Sequence, residues 1–215
     1  MTGSQPDERQ SALILNASFT VILVGYLVVW LPGPAAGLQF IGVELGEWIK
    51  FLGVGAARNL FYLPPITLSL MIVINSADWP NQHWRSWAAR GVAVIVSLLA
   101  FPSVEAIRFE PRSEWLTRLQ LIGLLFVVLL STVLVAWKGT STARAKLRWS
   151  TLLLVGLLGA LLPSWAYLRV RPLVAEAVGM PIGVGLGVWM NGVGHLLAAA
   201  LSFANLRGLR SENKQ

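Results

Sequence analysis

Long runs of apolar, nearly uncharged residues recur along this chain and constrain its fold more than any other feature. The clearest run covers residues 116–137. A helix needs roughly 20 such residues to cross about 30 Å of hydrocarbon, and helices are expected because backbone groups in lipid must be hydrogen-bonded within their own segment. Only 13% of the 215 residues are charged, against about 25% in a typical soluble domain. The runs therefore predict an all-α, multi-pass membrane protein.

Six membrane-spanning helices are predicted, packed as a bundle. Tryptophans fall near most of the predicted span ends, where an amphipathic indole prefers the headgroup level. The bundle occupies residues 12–206, between a polar N-terminus (1–11) and a polar C-terminus (207–215), and a short interfacial helix is expected near residues 38–52. The alternative for 38–52 is the first turns of a long second span. The six predicted spans are 12–31, 59–74, 88–107, 116–137, 149–168 and 180–206.

The distribution of Lys and Arg predicts the orientation. With the N-terminus inside, ten of the 17 basic residues lie in the cytoplasm, including the loop KGTSTARAKLR. The first ten residues lack the basic start and the cleavage site of a signal peptide, so the first span is interpreted as a retained anchor. We expect an integral protein of the plasma (inner) membrane, surrounded by lipids, with both termini cytoplasmic.

Six of the ten acidic residues then lie on the outer side, mixed with arginines. They form either a solvated surface of weak ion pairs or a polar cap that binds a solute, a lipid headgroup or a partner. Two pairs, Glu105 with Arg108 and Glu114 with Arg118, have the spacing of ion pairs along one helix. The six outer carboxylates are Glu44, Glu47, Glu105, Glu110, Glu114 and Glu176.

Three of the predicted spans end in a similar way, which suggests a threefold repeat of helical hairpins. Pro32, Pro102 and Pro163 each follow an apolar run and precede Gly or Ser. Internal repeats are common in transport folds. The alternative is that helices leaving a membrane often end in such residues without any duplication.

The sixth span carries a ridge of residues spaced by four. Gly179, Gly183 and Gly187 would allow close approach of a neighbouring helix, and the same ridge would place Asn191 and His195 inside the bundle. An ionisable residue at that depth suggests a functional site, such as a proton relay or a polar ligand site. The alternative is a neutral histidine whose hydrogen bonds are satisfied within the core.

A proline pair in the second span marks another candidate site. Pro64-Pro65 is expected to kink or break the helix, and broken helices often form substrate sites in transporters. Arg58 and Asn59 would stand at the outer mouth of the break. The alternative is a simple kink with Arg58 reaching the interface. The candidate ligand-binding residues are therefore Arg58, Asn59, Glu105, Asn191 and His195.

Signals for an enzyme are weak. The chain has no cysteine and two histidines, and it carries no phosphate loop or dinucleotide fingerprint, so we assign no catalytic residue, metal or cofactor, and no nucleic-acid partner. The stretch HLLAAALSFAN resembles the last histidine-bearing helix of intramembrane CPBP-type proteases. The paired-glutamate motif of that family is missing, and the resemblance does not assign the chain to it.

Three functions remain open from the sequence. The first is binding or transport of a small solute or lipid, based on the broken second span, the polar ridge and the charged outer residues. The second is a non-catalytic subunit that associates with other membrane proteins or with itself. The third is a membrane-embedded enzyme that uses His195 and outer glutamates.

Overall fold

The protein is all-helical apart from one short pair of strands. The computed structural model describes residues 8–33, 37, 39–134 and 141–212. Parts of the predicted N-terminus, interfacial helix, fourth span and C-terminus (1–7, 38, 135–137 and 213–215) lie outside them. The α-helices are α1 Glu8–Leu27, α2 Gly42–Trp48, α3 Leu63–Asn75, α4 Trp84–Ser97, α5 Val104–Phe109, α6 Arg112–Leu134, α7 Ser141–Val178 and α8 Leu186–Glu212, with strands β1 Val29–Leu31 and β2 Phe40–Ile41.

Among the described residues, five helical segments are long and apolar enough to cross a membrane, and they match five of the six predicted spans. They are Arg9–Leu27, Gly55–Asp78, Arg112–Leu134, Thr142–Val178 and Leu186–Arg210. The helical part of the remaining predicted span, 88–107, is shorter: α4 has 14 residues and continues as a 3-10 turn to Ala100. Because the residue before a proline avoids helical geometry, Phe101 is extended ahead of Pro102 and the helix stops there.

The first predicted span also ends early. Helix α1 stops at Leu27, and Val29–Leu31 forms an antiparallel pair with Phe40–Ile41. The Trp30 indole donates to the Gly25 carbonyl at 2.8 Å, which satisfies one of the last carbonyls of α1. This pair of strands leads the chain directly into α2.

Helix α2 and the 3-10 turn Ile49–Leu52 occupy most of the predicted interfacial segment. Leu45 and Ile49 are fully buried and belong to the same core as Tyr26 and Trp30. The apolar side of this short helix therefore packs against protein.

The proline pair begins a helix instead of breaking one. A 3-10 helix, Gly55–Tyr62, leads into α3, and Pro64 and Pro65 lie in the first turn of α3. Proline is tolerated there because the first N–H groups of a helix have no intrahelical acceptor. The expected kink inside the span is thus a change from 3-10 to α geometry at Leu63.

Two expectations for the last third of the chain were wrong. Helix α7 does not end at Pro163 but continues to Val178, so the third predicted hairpin lacks the ending of the other two. Helix α8 begins only at Leu186, so Gly179 and Gly183 precede it and the glycine ridge is not one continuous helix face. The threefold repeat remains a prediction.

Small residues bring α8 close to its neighbours. A Cβ on Gly187 would meet the Trp30 ring, one on Gly194 would lie 2.7 Å from the Ile22 side chain, and one on Gly156 would lie 3.2 Å from Ala199. Helices in lipid associate through such close contacts. By contrast, Gly179 has φ 73° and open space around it, so it serves a turn and not a helix contact.

Candidate functional site

One end of the molecule holds a cluster of charged side chains that we call the charged cap. It is assembled from α2, the two 3-10 helices that follow it, the residue after α5, and the first turns of α6. These segments are far apart in the sequence, so the cap forms only when the fold does. Its members are Glu47, Lys50, Arg58, Tyr62, Glu110, Glu114 and Arg118.

Arg58 is the centre of one half of the cap. Its side chain is 1% exposed, and its Nη2 donates to Glu110 Oε2 at 2.6 Å. Its Nε lies 3.0 Å from Glu114 Oε2 without hydrogen-bond alignment, and its Nη1 lies 3.9 Å from Glu47 Oε2. A guanidinium is costly to bury unless it is paired, and three carboxylates surround this one.

Arg118 is the centre of the other half. Its side chain is also 1% exposed, and its Nη1 donates to Glu47 Oε1 at 2.9 Å. The guanidinium carbon lies 4.1 Å from the centroid of the Tyr62 ring, a cation–π contact, and the Tyr62 hydroxyl donates to the same Glu47 oxygen at 2.5 Å. Glu47 thus links both arginines.

Two carboxylates of the cap, Glu47 and Glu110, are held in their charged form. Burial raises the pKa of Glu47, but hydrogen bonds from Tyr62 and Arg118 and the charges of Arg118 and Arg58 outweigh it, so the pKa lies below its ordinary value. Burial likewise raises the pKa of Glu110, and Lys50 and Arg58 lower it by more. The pKa shifts exclude these carboxyls as proton donors near neutral pH.

Several buried polar atoms in and beside the cap have no hydrogen-bond partner. They are Nε and Nη1 of Arg58, Nε and Nη2 of Arg118, both amide atoms of Asn59, and the hydroxyl of Tyr26. Each buried, unpaired polar group costs about 1–3 kcal/mol. Such groups are uncommon in native structures and call for an explanation in each case.

Helix α2 packs against the two tyrosines through glycines. A Cβ on Gly42 would lie 2.5 Å from the Tyr26 ring, and one on Gly46 would lie 2.6 Å from the Tyr62 ring. Only glycine lets α2 approach this closely, and that approach delivers Glu47 to Tyr62 and Arg118.

A second group of buried polar residues, which we call the histidine cluster, lies where α3, α7 and α8 meet. It consists of Thr67, Gly159, Asn191 and His195. The His195 Nδ1 lies 2.9 Å from the Asn191 backbone oxygen, and Nε2 lies 2.9 Å from Thr67 Oγ1. Because a carbonyl can only accept, Nδ1 carries a hydrogen, and Nε2 of a neutral ring is then an acceptor. The single hydrogen of the Thr67 hydroxyl is shared between Nε2 and the Leu63 carbonyl, which lies 2.8 Å from Oγ1. Both ring nitrogens are therefore occupied.

Asn191 explains how α7 continues through a proline. Pro163 has no N–H, so the carbonyl of Gly159, four residues earlier, loses its intrahelical donor. The Asn191 side-chain nitrogen donates to that carbonyl at 3.2 Å. Neighbouring helices often satisfy backbone groups freed by proline in membrane helices, and Asn191 does so here. A Cβ on Gly159 would also collide with the His195 ring, so glycine is needed at this position.

The five predicted ligand-binding residues are divided among three places. Arg58 belongs to the charged cap and Asn59 adjoins it; Asn191 and His195 form the histidine cluster; Glu105 is exposed on α5. Within the described part of the chain, no hydrogen bond or ion pair links the two buried groups.

The cap carboxylates are recognisable in the sequence, but the residues they pair with are not. Glu114 and Arg118 have helical ion-pair spacing, yet Glu114 contacts Arg58 and Arg118 contacts Glu47. Tyr26 and Tyr62 carried no signal of their own. Arg118 is the one sequence feature that indicates a buried ion pair, because an arginine within an apolar run needs a partner.

Comparisons with known proteins assign no family. No family model matches the chain, and neither a curated protein nor a solved structure is similar to it. In the described residues, no group of three or more His, Cys, Asp or Glu side chains is arranged to hold a metal ion. The function is therefore argued from the geometry of the site itself.

Proposed function

We propose that this chain is a multi-pass membrane protein that binds a small solute at the charged cap, and that the solute carries a carboxylate or phosphate group. The observation that carries the proposal is the set of unpaired donors on Arg118 and Asn59, both at least 95% buried. A planar guanidinium matches carboxylate and phosphate oxygens, and hydrogen bonds to such anions are the strong ones. A bound anion would satisfy donors that are otherwise left without a partner.

The charge balance of the cap narrows the class of solute. Arg58, Arg118 and Lys50 supply three positive charges, and Glu47, Glu110 and Glu114 supply three negative charges. A simple anion would leave the site with excess negative charge, whereas a zwitterion keeps it neutral. Glu114, whose side chain is 29% exposed, is accessible to an ammonium group. We therefore expect zwitterions, such as amino acids, to bind better than simple anions.

Asn59→Leu provides the sharpest test, because it separates binding from folding. Neither amide atom of Asn59 has a partner, so an apolar side chain of similar size should leave the melting temperature unchanged or raise it. If Asn59 contacts a solute, the same change should remove the binding. The measurement is the ligand-dependent thermal shift of detergent-purified protein with acetate, inorganic phosphate and a panel of amino acids.

Asn16→Leu is the matched control, since Asn16 is exposed on α1 away from the cap. It should keep every thermal shift seen in the unsubstituted protein. A panel that produces no shift in the unsubstituted protein, or an Asn59→Leu variant that binds as well as the parent, would overturn the proposal.

A second candidate is a non-catalytic subunit of a larger membrane assembly. The observation that favours it is the exposure of α6. In its apolar 18-residue stretch 22% of the residues are buried, against 39% to 67% in the corresponding stretches of the other four spans. Native mass spectrometry of protein extracted from its own membrane tests the subunit hypothesis. A reproducible complex that is lost when a bulky side chain replaces the exposed Val127 would support the hypothesis, and a monomer would oppose it.

The enzyme hypothesis has no such support, because Thr67 and Asn191 occupy both nitrogens of His195.

A further inference from the structure

An apolar groove between α3, α6 and α7 ends at two arginines. Its volume is about 290 Å³. The groove follows α7 from Arg144 to Val155, about 16 Å at 1.5 Å per residue. Its walls include Leu70 and Ile74 of α3 and Leu124 and Val128 of α6.

The two arginines carry more positive charge than their surroundings neutralise. Arg148 Nη1 lies 3.0 Å from Asp78 Oδ2, and Asp78 is the single acidic residue among those lining the groove. The Nε atoms of both Arg144 and Arg148 are buried without a hydrogen-bond partner. Two guanidiniums face one carboxylate, so one positive charge is not neutralised. That charge and the two unpaired Nε–H groups are available to an anion.

A second cavity lies on the other side of Arg148 and is more polar than the groove. It has a volume of about 330 Å³ and is lined in part by Ser11, Asn75 and Asn205. The hydroxyl of Ser11 is buried and unpaired. Arg148 therefore stands at a boundary between an apolar groove and a polar space, the arrangement that a lipid headgroup region requires.

We propose that this groove holds one acyl chain of an anionic phospholipid, with the lipid phosphate bound by Arg144 and Arg148. Free phosphate would use the arginines but leave the apolar walls uncovered, whereas a phospholipid covers both. The groove borders exposed apolar side chains, including Leu124, which is 50% exposed, and Leu147, which is 53% exposed. An acyl chain can therefore enter the groove from the surrounding lipid. Basic side chains at a membrane surface attract anionic lipids.

This site is independent of the charged cap. On α6 the cap residue Arg118 and the groove residue Thr132 are 14 positions apart, about 21 Å along the helix. A failure of the solute proposal would therefore leave the lipid proposal standing, and the reverse is also true.

Arg144→Gln is the test variant. Native mass spectrometry of the full chain would measure retention of phosphatidylglycerol, with phosphatidylcholine as the zwitterionic comparison. Since a hydrogen bond to a charged group contributes about 1.5–3 kcal/mol, binding of phosphatidylglycerol should weaken by about tenfold or more. Binding of phosphatidylcholine, whose choline cation cancels the charge of its phosphate, should be weaker in the parent and should fall by a smaller factor. Arg210→Gln, at an exposed position near the end of α8, is the matched loss of charge and should behave as the parent.

Two further arms separate the possible sources of phosphate. Thr151→Trp, at a half-buried position lining the groove, should reduce retention of the lipid while the melting temperature stays near that of the parent. Inorganic phosphate at millimolar concentration should not displace the lipid. Equal retention of the two lipids, unchanged binding in Arg144→Gln, or displacement by inorganic phosphate would each overturn the proposal.

Discussion

The charged cap and the histidine cluster bury polar side chains equally deeply but satisfy them in different ways. Arg58 and Arg118 are 1% exposed, and Asn191 and His195 are 0% exposed. The arginines use carboxylates 52 and 71 residues away, whereas His195 finds one partner four residues earlier on its own helix. The cap retains several unpaired donors, and the histidine cluster retains one unpaired atom, Asn191 Oδ1. Unpaired donors, more than depth of burial, therefore distinguish the cap from the histidine cluster, and they are the reason that a solute is proposed there.

The largest expected effect is the loss of a buried arginine. Arg118→Leu removes the main partner of Glu47 and should lower the free energy of unfolding by about 3 kcal/mol. This is the lower end of the range for a broken buried ion pair, because the Glu47 side chain is 38% exposed. Chemical denaturation in detergent measures it. Arg108→Leu, the same change at an exposed site, should stay within about 0.5 kcal/mol.

A double variant sharpens this first prediction. Adding Glu47→Leu to Arg118→Leu removes the unpaired charge, so it should recover part of the lost stability. If Arg118→Leu alone is as stable as the parent, the cap is a hydrated surface and the contrast with the histidine cluster fails.

The next effect concerns space in the histidine cluster. Gly159→Ala places a methyl group against the His195 ring and should lower the free energy of unfolding by about 1–3 kcal/mol. Gly123→Ala, on α6 with nothing within 4 Å of the new Cβ, should be neutral or stabilising by up to about 1 kcal/mol. Thermal unfolding of the pair compares them directly, and equal stability would show that the cluster is loosely packed.

Removing one neutral hydrogen bond should matter less. Thr67→Val deletes the hydroxyl at Nε2 of His195 and should cost about 1 kcal/mol of unfolding free energy. Thr67→Ser keeps the hydroxyl and should lie closer to the parent in the same denaturation experiment. If valine and serine give the same stability, the hydroxyl contributes nothing to the cluster.

The smallest effect is the pH dependence of the cap. The pKa values of Glu47 and Glu110 are lowered in the folded protein, so their contribution to stability is complete above the unfolded-state pKa of about 4.3 and is lost as the pH falls through the folded-state values. Both carboxyls are partly exposed, so solvent screening limits the size of this pH-dependent contribution. Between pH 6 and pH 3 the melting temperature of Glu47→Gln should fall less steeply than that of the parent. If both melting temperatures fall equally with pH, the lowered pKa of Glu47 does not contribute to stability.

The long apolar helices could be predicted from the sequence because each span is specified by its own residues. Helix α6 covers most of the predicted span 116–137, and the described ends of the helices differ from prediction mainly at prolines. Pro102 stops a helix because Phe101 turns extended, whereas Pro163 does not, because Asn191 from another helix compensates. The local sequence is similar at both prolines, but Ser103 caps a new helix after Pro102, and Asn191 contacts the chain before Pro163.

The charged cap could be predicted in composition but not in pairing. Glu47 and Arg118 are 71 positions apart, and no local spacing indicates that they meet. The predicted local pair of Glu114 with Arg118 follows from helix geometry, but the fold offers each residue a different partner. By contrast, Asn191 and His195 were recognised together because their contact repeats the helix period.

The unbroken course of α7 through Pro163 places two arginine–tryptophan contacts on one helix. Arg148 lies over the ring of Trp149 at one end, and Arg169 lies over the ring of Trp165 at the other. The two arginines are 21 residues apart, so about 32 Å of straight helix separates them, close to the hydrocarbon thickness of about 30 Å.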